Sequence, residues 1–209
     1  MKALALAACS LFVIGTASAQ EFQHVLVDFG AGFTSPVSRS ADHLDMGWNV
    51  QGGIGYNFSP VVGAKLQLDY NSMGIKSSVL NNIGVPGGNV NIFSATVNPI
   101  VHLIPHSHFD IYAIGGGGLY HRTQEFTAPT IQTFTGFNPF FGFFYPVGVP
   151  ANQVLASYTV NKPGINGGMG IAFGPRARGK FFAEARWTRI FLTSSIHTDY
   201  VPVSFGFRW

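Results

Sequence analysis

Cysteine is almost absent from this chain of 209 residues, in which Cys9 is the single example. One cysteine so close to the start excludes an internal disulfide and cysteine chemistry from the rest of the sequence. Leu6-Ala7-Ala8-Cys9 is similar to a lipoprotein acylation site, but most of the apolar run around it follows Cys9. That order argues against acylation of Cys9.

Charged side chains are also scarce. Asp, Glu, Lys and Arg make up 10% of the residues, whereas a soluble domain usually carries about 25%. The chain is instead rich in glycine (26) and phenylalanine (20), and its formal net charge is only +3. The basic residues lack the clustering that nucleic-acid binding requires, so we expect no nucleic-acid partner. This composition favours a membrane β-protein over a soluble enzyme.

Apolar runs long enough for a membrane-spanning helix, about 20 residues, are missing. The long uncharged stretch Phe126–Asn161 is broken repeatedly by proline and glycine, which end helices. The apolar run Ala3–Gly15 is too short to span a bilayer. Because it follows Lys2 and precedes Ala17-Ser18-Ala19, it has the pattern of a secretory signal peptide. We expect cleavage after Ala19, so that residues 1–19 are the signal peptide and residues 20–209 form one domain.

Alternation of apolar residues with small or polar ones dominates the remaining sequence, and this is the period of a β-strand with one apolar face. The eight alternating segments are His24–Phe33, Met46–Phe58, Val62–Asn71, Asn89–Leu103, Phe109–His121, Tyr158–Phe173, Phe181–Phe191 and Tyr200–Trp209. Each of them has at least the roughly 9–11 residues with which a tilted strand crosses the hydrocarbon. The inward phase of the fifth segment is ambiguous because it contains the run Gly115–Gly118.

The connections between these segments alternate in length. The long ones are Thr34–Asp45, Gly74–Gly88, Arg122–Ser157 and Thr193–Asp199; the short ones are Ser59-Pro60, Ile104–His108 and Gly174–Gly179. Transmembrane barrels have long extracellular loops and short periplasmic turns, and a sheet in lipid has to close. The sequence therefore predicts an all-β fold, an eight-stranded antiparallel up-and-down transmembrane β-barrel with four long extracellular loops and three short periplasmic turns.

Three runs carry a resemblance to a known family: GINGGMGIAF (Gly164–Phe173), FFAEARWTRIF (Phe181–Phe191) and the final VSFGFRW. They resemble the small eight-stranded barrels of the OmpA/OmpX type, the outer membrane protein beta-barrel domain family. The resemblance covers the chain after the signal peptide. It implies the outer membrane of a Gram-negative-type bacterium as the location and outer-membrane lipid as a partner. It implies little about function, because the family includes adhesins, surface-masking proteins and proteins without a known role.

An aromatic carboxy-terminal residue in such barrels resembles the signal that the barrel assembly machinery reads. The resemblance therefore implies Phe207 and Trp209 as the assembly signal, and the assembly machinery as a partner during biogenesis.

Seven charged residues fall on the predicted lumen side: Asp28, Lys65, Asp69, Lys162, Glu184, Arg186 and Arg208. The interior of an eight-stranded barrel is just wide enough for side chains to fill it, and charges buried there need partners. We expect these residues to form an ion-pair network that plugs the lumen, with Asp28 against Arg208 where the first and last strands meet. A narrow pore or proton path is the alternative.

The third long connection is uncharged and unusually aromatic. Its candidate surface residues are Phe134, Phe137, Phe140, Phe141, Phe143, Phe144 and Tyr145. A contiguous exposed apolar patch usually marks a partner or membrane contact, so this loop is a candidate for binding a surface ligand. The alternative is that its flanks extend the fifth and sixth strands while the aromatics fold onto the barrel rim.

Catalytic and metal sites have little support. His106-Ser107-His108, with Asp110 nearby, is weak as a metal site. Lipid A deacylases are also small barrels, but the seventh strand offers Trp187-Thr188-Arg189 where a catalytic histidine is needed, and no credible Ser/His/acid triad is present. We expect no catalytic residue, metal or cofactor, and a structural or adhesion-like surface-interaction role. A narrow pore and a lipid A-modifying enzyme remain the alternatives.

Overall fold

A computed structural model describes residues 24–104, 109–174, 179–193 and 196–209 of the chain. The predicted signal peptide (residues 1–19) and Cys9 lie outside the described residues, as do His106 and His108. None of the helices in the described ranges is long and apolar enough to cross a membrane.

Eight strands form one closed ring in sequence order. The strands are β1 (Val25–Pro36), β2 (Gly47–Asn57), β3 (Val62–Gly74), β4 (Gly87–His102), β5 (Phe109–Asn138), β6 (Phe143–Phe173), β7 (Lys180–Phe191) and β8 (His197–Arg208). Each strand is antiparallel to the next, and β1 is antiparallel to β8. The predicted eight-stranded up-and-down barrel is confirmed.

Alternation along each strand decides which side chains enter the barrel. On β1, Val27 and Phe29 are exposed on the outside, while Asp28 between them is buried in the lumen. The structure also settles the ambiguous phase of β5, because Tyr112 and Tyr120 are both buried. Large apolar side chains therefore cover the outer surface, as expected for strands that face lipid.

The seam between β1 and β8 closes the ring. Its register runs from Asp28 opposite Arg208 to Pro36 opposite Tyr200. At the end of the seam, the Trp209 amide donates to the Val27 carbonyl over 2.8 Å, and the Val27 amide donates to the Trp209 carbonyl over 2.9 Å. These bonds satisfy backbone groups that lipid could not.

The two ends of the barrel differ in their connections. β1 begins and β8 ends at one end of the barrel. The connections at this end are residues 58–61, 103–108 and 174–179. At the opposite end, residues 37–46 contain a 3-10 helix, Ser38–Asp42, and residues 75–86 contain α1, Ser77–Ile83. Gly84 ends α1 with φ of 69°, a left-handed conformation that suits glycine. A β-bridge between Leu44 and Ile75 joins these two connections.

The connection expected over Arg122–Ser157 is much shorter than predicted, and the alternative, that its flanks extend the fifth and sixth strands, is confirmed. β5 and β6 continue through this region as a paired hairpin and are joined by residues 139–142 only. The fourth connection is also shorter than expected, because β8 already begins at His197. The prolines in this region are typical of a loop. Pro129, Pro146 and Pro150 lie where β5 and β6 have only each other as neighbours. Each strand therefore has an open edge there, and proline is tolerated on edge strands.

The lumen contains two apolar clusters. The cluster toward the end of the longer connections consists of Leu44, Met73, Ile75, Leu80, Val90, Ile92, Tyr120, Ile190 and Tyr200. The cluster toward the chain-terminal end consists of Ile100, Tyr112, Ile114, Ala172 and Phe182. Buried polar and charged side chains fill much of the lumen between these clusters, and they form the first candidate site.

Candidate functional site

Six of the seven predicted lumen charges come together as ion pairs. Lys65 on β3 places its Nζ 2.9 Å from Oδ2 of Asp28 on β1, and both side chains have 0% exposure. Arg208 on β8 places Nη2 3.5 Å from the same Asp28 oxygen. Asp28 therefore lies between cations from two strands, and Lys65 is nearer to it than Arg208.

A second group of charges centres on Arg186 of β7. Its Nη2 lies 2.8 Å from Oδ1 of Asp69, and its Nε lies 3.0 Å from Oε1 of Glu184. Glu184 also lies 3.7 Å from Arg208 and accepts a hydrogen bond of 2.8 Å from the Tyr112 hydroxyl. Glu184 thus links the Arg186 group to the Asp28 group, which makes one connected network.

Neutral side chains extend the network, and the sequence did not identify them as members. Gln67 donates to Oε1 of Gln51 over 2.8 Å and to Oδ1 of Asp69 over 2.6 Å. Arg186 also donates to Gln51 over 2.8 Å. The Arg208 guanidinium carbon lies 4.2 Å from the centroid of the Tyr112 ring, a distance at which a cation is attracted to the ring face. The alternation placed Gln51 and Gln67 inward, whereas the glycine run of β5 concealed Tyr112.

Lys162 does not join the network. It lies on β6 opposite Tyr120, two residues before Gly164, where the pairing of β6 with β7 begins. Lys162 is partly exposed, and no carboxylate lies within 4.0 Å of it in the part of the chain that the structure describes. The alternation predicted that Lys162 faces inward. At this point, however, β6 extends beyond the end of its pairing with β7, so Lys162 lies at the rim of the barrel.

Formal charge is balanced in the network. Asp28, Asp69 and Glu184 supply three negative charges, and Lys65, Arg186 and Arg208 supply three positive charges. Beside Arg186 there is a cavity of about 10 Å³, about enough room for one water molecule. At this point the interior leaves room for little more than one water molecule beside the ion pairs.

Small inward residues make room for the large ones. A Cβ built on Gly170 of β6 would meet the ring and the hydroxyl of Tyr112. Glycine at this position is what allows Tyr112 to lie across the lumen and reach Glu184.

The second candidate site is the outer part of the β5–β6 hairpin. The last pair between β4 and β5 is Gly87 with Thr127, while β5 and β6 stay paired out to Asn138 and Phe143. We call residues 128–153 the outer hairpin, because its two strands have only each other as neighbours. The eleven residues of β5 beyond Thr127 extend it by about 36 Å at ~3.3 Å per residue.

The predicted surface aromatics all lie in the outer hairpin. Phe140 and Phe141 lie in the turn and are 91% and 78% exposed. The candidates on the strands, which are also exposed, are Phe134, Phe137, Phe143, Phe144 and Tyr145. The predicted residues are thus confined to one segment, but it is a strand pair and they do not fold onto the rim.

Both faces of the outer hairpin are apolar. Phe137 lies opposite Phe144, with ring centroids 5.0 Å apart. Phe134 lies opposite Val147 and, by strand alternation, on the other face. Residues 126–161 contain no Asp, Glu, Lys or Arg, so the hairpin has no charged side chain that would keep it apart from an apolar surface.

The predicted assembly-signal residues lie on the outside of the barrel. Phe207 and Trp209 are exposed and their rings are stacked, with centroids 5.9 Å apart. Phe207 also contacts Phe181 of β7, with centroids 4.0 Å apart. An aromatic patch therefore marks the outer surface where the chain ends.

The described residues add no support for a catalytic site or a metal site. There, no three His, Cys, Asp or Glu side chains form a cluster that could hold a metal ion. His197 lies 3.5 Å from Asp199, but Arg189 already engages both carboxylate oxygens of Asp199 at 2.8 Å. Sequence reasoning missed this Arg189–Asp199 pair because Asp199 was expected in a loop.

Comparisons with solved structures find matches of low sequence identity. Neisserial surface protein A matches with 12% identity and a TM-score of 0.55, over 92% of this chain and 98% of that one. Ail, the attachment invasion locus protein of Yersinia pestis, matches with 15% identity and a TM-score of 0.49, over 90% of this chain and 100% of that one. OprG of Pseudomonas aeruginosa, an outer membrane protein, matches with 11% identity and a TM-score of 0.49, over 90% of this chain and 98% of that one.

A search of curated proteins finds no match. The model of the outer membrane protein beta-barrel domain, however, matches residues 4–208, nearly the whole chain. The chain therefore belongs to the outer membrane protein beta-barrel domain family and is an integral protein of the outer membrane.

Proposed function

We propose that this barrel is a non-catalytic surface-contact protein whose outer hairpin binds hydrophobic surfaces outside the cell. The observation that carries the proposal is the uncharged, aromatic outer hairpin, exposed on both faces. It continues from the end of the barrel with the longer connections, which in outer-membrane barrels is the extracellular end. Monomeric proteins rarely expose an apolar area of this kind unless it contacts a partner or a membrane.

The geometry of the outer hairpin supports contact in preference to burial. Phe137 and Phe134 lie on opposite faces, so the hairpin cannot bury both against one side of the barrel. Phe140 at the turn is 91% exposed. Each aromatic side chain that a partner covers would contribute about 1.5–3 kcal/mol to binding.

The lumen supports a role without conduction or catalysis. The charge-balanced network from Asp28 to Asp69 crosses the interior, and the cavity beside Arg186 measures only about 10 Å³. We propose that these side chains close the lumen. The expected partners are then outer-membrane lipid around the barrel, the assembly machinery during biogenesis and an apolar surface at the outer hairpin.

Shortening the outer hairpin tests the proposal. Thr130 and Ala151 face each other in the register, so an Asn-Gly turn that replaces Ile131–Pro150 would close the hairpin at a natural pair. Cells that display the shortened barrel should lose most of the adhesion to octyl-coated beads that the unshortened barrel confers. The adherent fraction of cells is the measurement, at equal surface amounts of both proteins.

Substitutions within an intact hairpin separate chemistry from length. Replacing Phe140, Phe141 and Phe144 together with serine should reduce adhesion about as much as shortening does. The matched control replaces Thr130, Thr133 and Thr135 of the same hairpin with serine, which should leave adhesion unchanged. Equal adhesion of the wild-type and shortened barrels would refute the proposed contact role.

A further inference from the structure

A cleft lies at the mouth of the barrel, at the end opposite the chain termini. It has a volume of about 370 Å³, within the range of pockets for small molecules. Its apolar lining is formed by Leu44, Ile75, Val79, Val90, Leu192 and Ile196. We call it the mouth cleft. Because it lies between the barrel wall, α1 and the connections around it, it is separate from the outer hairpin.

The mouth cleft is closed off from the lumen network. Leu44, Ile75 and Val90 on its floor belong to the apolar cluster that also contains Tyr120 and Tyr200. That cluster lies between the mouth cleft and the ion pairs around Arg186. A molecule in the mouth cleft would therefore rest on an apolar floor, without reaching the network.

Two arginines that lack a carboxylate partner among the described residues line the same cleft. Arg39 and Arg122 contribute to the lining, together with His43 and His197, and no Asp or Glu does. Arg122 donates to Oε1 of Gln124 over 3.2 Å, and its buried Nε has no hydrogen-bond partner among the residues that the structure describes. Neither arginine has a carboxylate within 4.0 Å among the described residues. A guanidinium that lines a cleft without a paired carboxylate can donate hydrogen bonds to an acceptor on a bound molecule.

We propose that the mouth cleft binds a medium-chain alkyl carboxylate, with its hydrocarbon chain on the apolar floor and its carboxylate at Arg122. The guanidinium matches a carboxylate in geometry and forms charge-assisted hydrogen bonds with it. Arg122 lines the cleft, and Arg39 contributes a second guanidinium to the same lining. An apolar lining with a few convergent polar groups is the usual composition of a small-molecule site.

Binding of octanoate tests the proposal on the full barrel in phosphatidylcholine nanodiscs, with empty nanodiscs as the blank. Calorimetric titration should give saturable binding to one site. Octan-1-ol has the same chain without the charge, and inorganic phosphate has charge without the chain. Both should bind at least about tenfold more weakly than octanoate, as expected when a charged hydrogen bond or the apolar contact is lost.

Two pairs of variants locate the site. Arg122→Gln should weaken octanoate binding by about 10- to 100-fold, whereas Lys76→Gln removes a charge near the cleft without altering its lining and should change binding by less than about twofold. Val79→Glu places a carboxylate in the cleft and should abolish binding. Asn81→Glu lies on the same helix outside the lining and should retain it.

Several results would overturn the assignment. These are absence of saturable octanoate binding, equal affinity for octanol, equal affinity for phosphate, and wild-type affinity in Arg122→Gln. The heat-dependent gel shift of each variant shows that the barrel is folded, so loss of binding in Val79→Glu but not in Asn81→Glu reports on the cleft itself.

Discussion

Arg186 and Asp69 bridge the full width of the barrel. They lie on β7 and β3, which are four strands apart in either direction around the ring of eight. Their Nη2 and Oδ1 atoms are 2.8 Å apart. This contact therefore ties two opposite walls together.

Replacing Arg186 with methionine should destabilise the barrel by about 3–5 kcal/mol, because it leaves Asp69 and Glu184 without their nearest cation. Urea unfolding of the protein in phospholipid, followed by tryptophan fluorescence, measures the free energy of unfolding. Lys162→Met is the matched control: it removes a rim charge outside the network and should cost less than about 1 kcal/mol. Equal losses in both variants would contradict a network centred on Arg186.

Gly170→Val should also destabilise the barrel, by about 1–3 kcal/mol, because the new side chain displaces Tyr112 from the lumen. Gly167 lies on the same strand, and a Cβ there meets nothing within 4 Å. Gly167→Val should therefore leave the free energy of unfolding nearly unchanged. A larger loss in Gly167→Val than in Gly170→Val would show that the lumen is not tightly packed around Tyr112. The same urea titration serves for both variants.

We expect no steady single-channel current from the wild-type barrel in a planar lipid bilayer, because we propose that the side chains of the network close its lumen. The barrel with Asn-Gly in place of Ile131–Pro150 should be equally silent, since the outer hairpin lies beyond the ring and does not act as the plug. Steady ion flow through the wild type would favour the narrow-pore alternative. Flow through the shortened barrel alone would show that the outer hairpin blocks the lumen.

Trp209→Ser should reduce the amount of assembled barrel in cells but hardly affect refolding of the purified protein in detergent. The reason is that Trp209 closes the seam through backbone bonds to Val27, which any residue can form. Trp209→Phe keeps an aromatic end and should assemble normally. Heat-dependent gel migration measures the folded fraction in both settings. Equal losses in cells and in detergent would assign Trp209 a role in stability and none in assembly.

The alternation of side chains along each strand allowed the lumen charges to be predicted. A period of two assigns a residue to one face of the sheet, whichever residues it contacts there. It could not supply the partners themselves. Asp28 was matched with Arg208 from the expected seam, yet Lys65 lies closer to it. Pairings across the lumen depend on side-chain length and on the register of strands far apart in sequence, and neither is visible in a single strand.

The outer hairpin shows a different limit of prediction from the sequence. Proline and glycine between Arg122 and Ser157 are typical of loops, so the sequence indicated one, with extension of the fifth and sixth strands as the alternative. Here the strands continue because β5 and β6 satisfy each other's backbone groups, while prolines are tolerated at open edges. The same extension explains why Lys162 faces inward but finds no carboxylate among the described residues.

The Arg186–Asp69 contact also bears on how the barrel inserts. In an open sheet, β3 and β7 would lie about 19 Å apart, four strand spacings of ~4.8 Å, and Asp69 would have no cation within reach. A half-formed sheet would then carry uncompensated charge next to hydrocarbon, which is strongly unfavourable. Only the closed ring neutralises Asp69, so its side chain makes incomplete intermediates unstable in the bilayer. The contact therefore favours the closed ring over an open sheet in the bilayer.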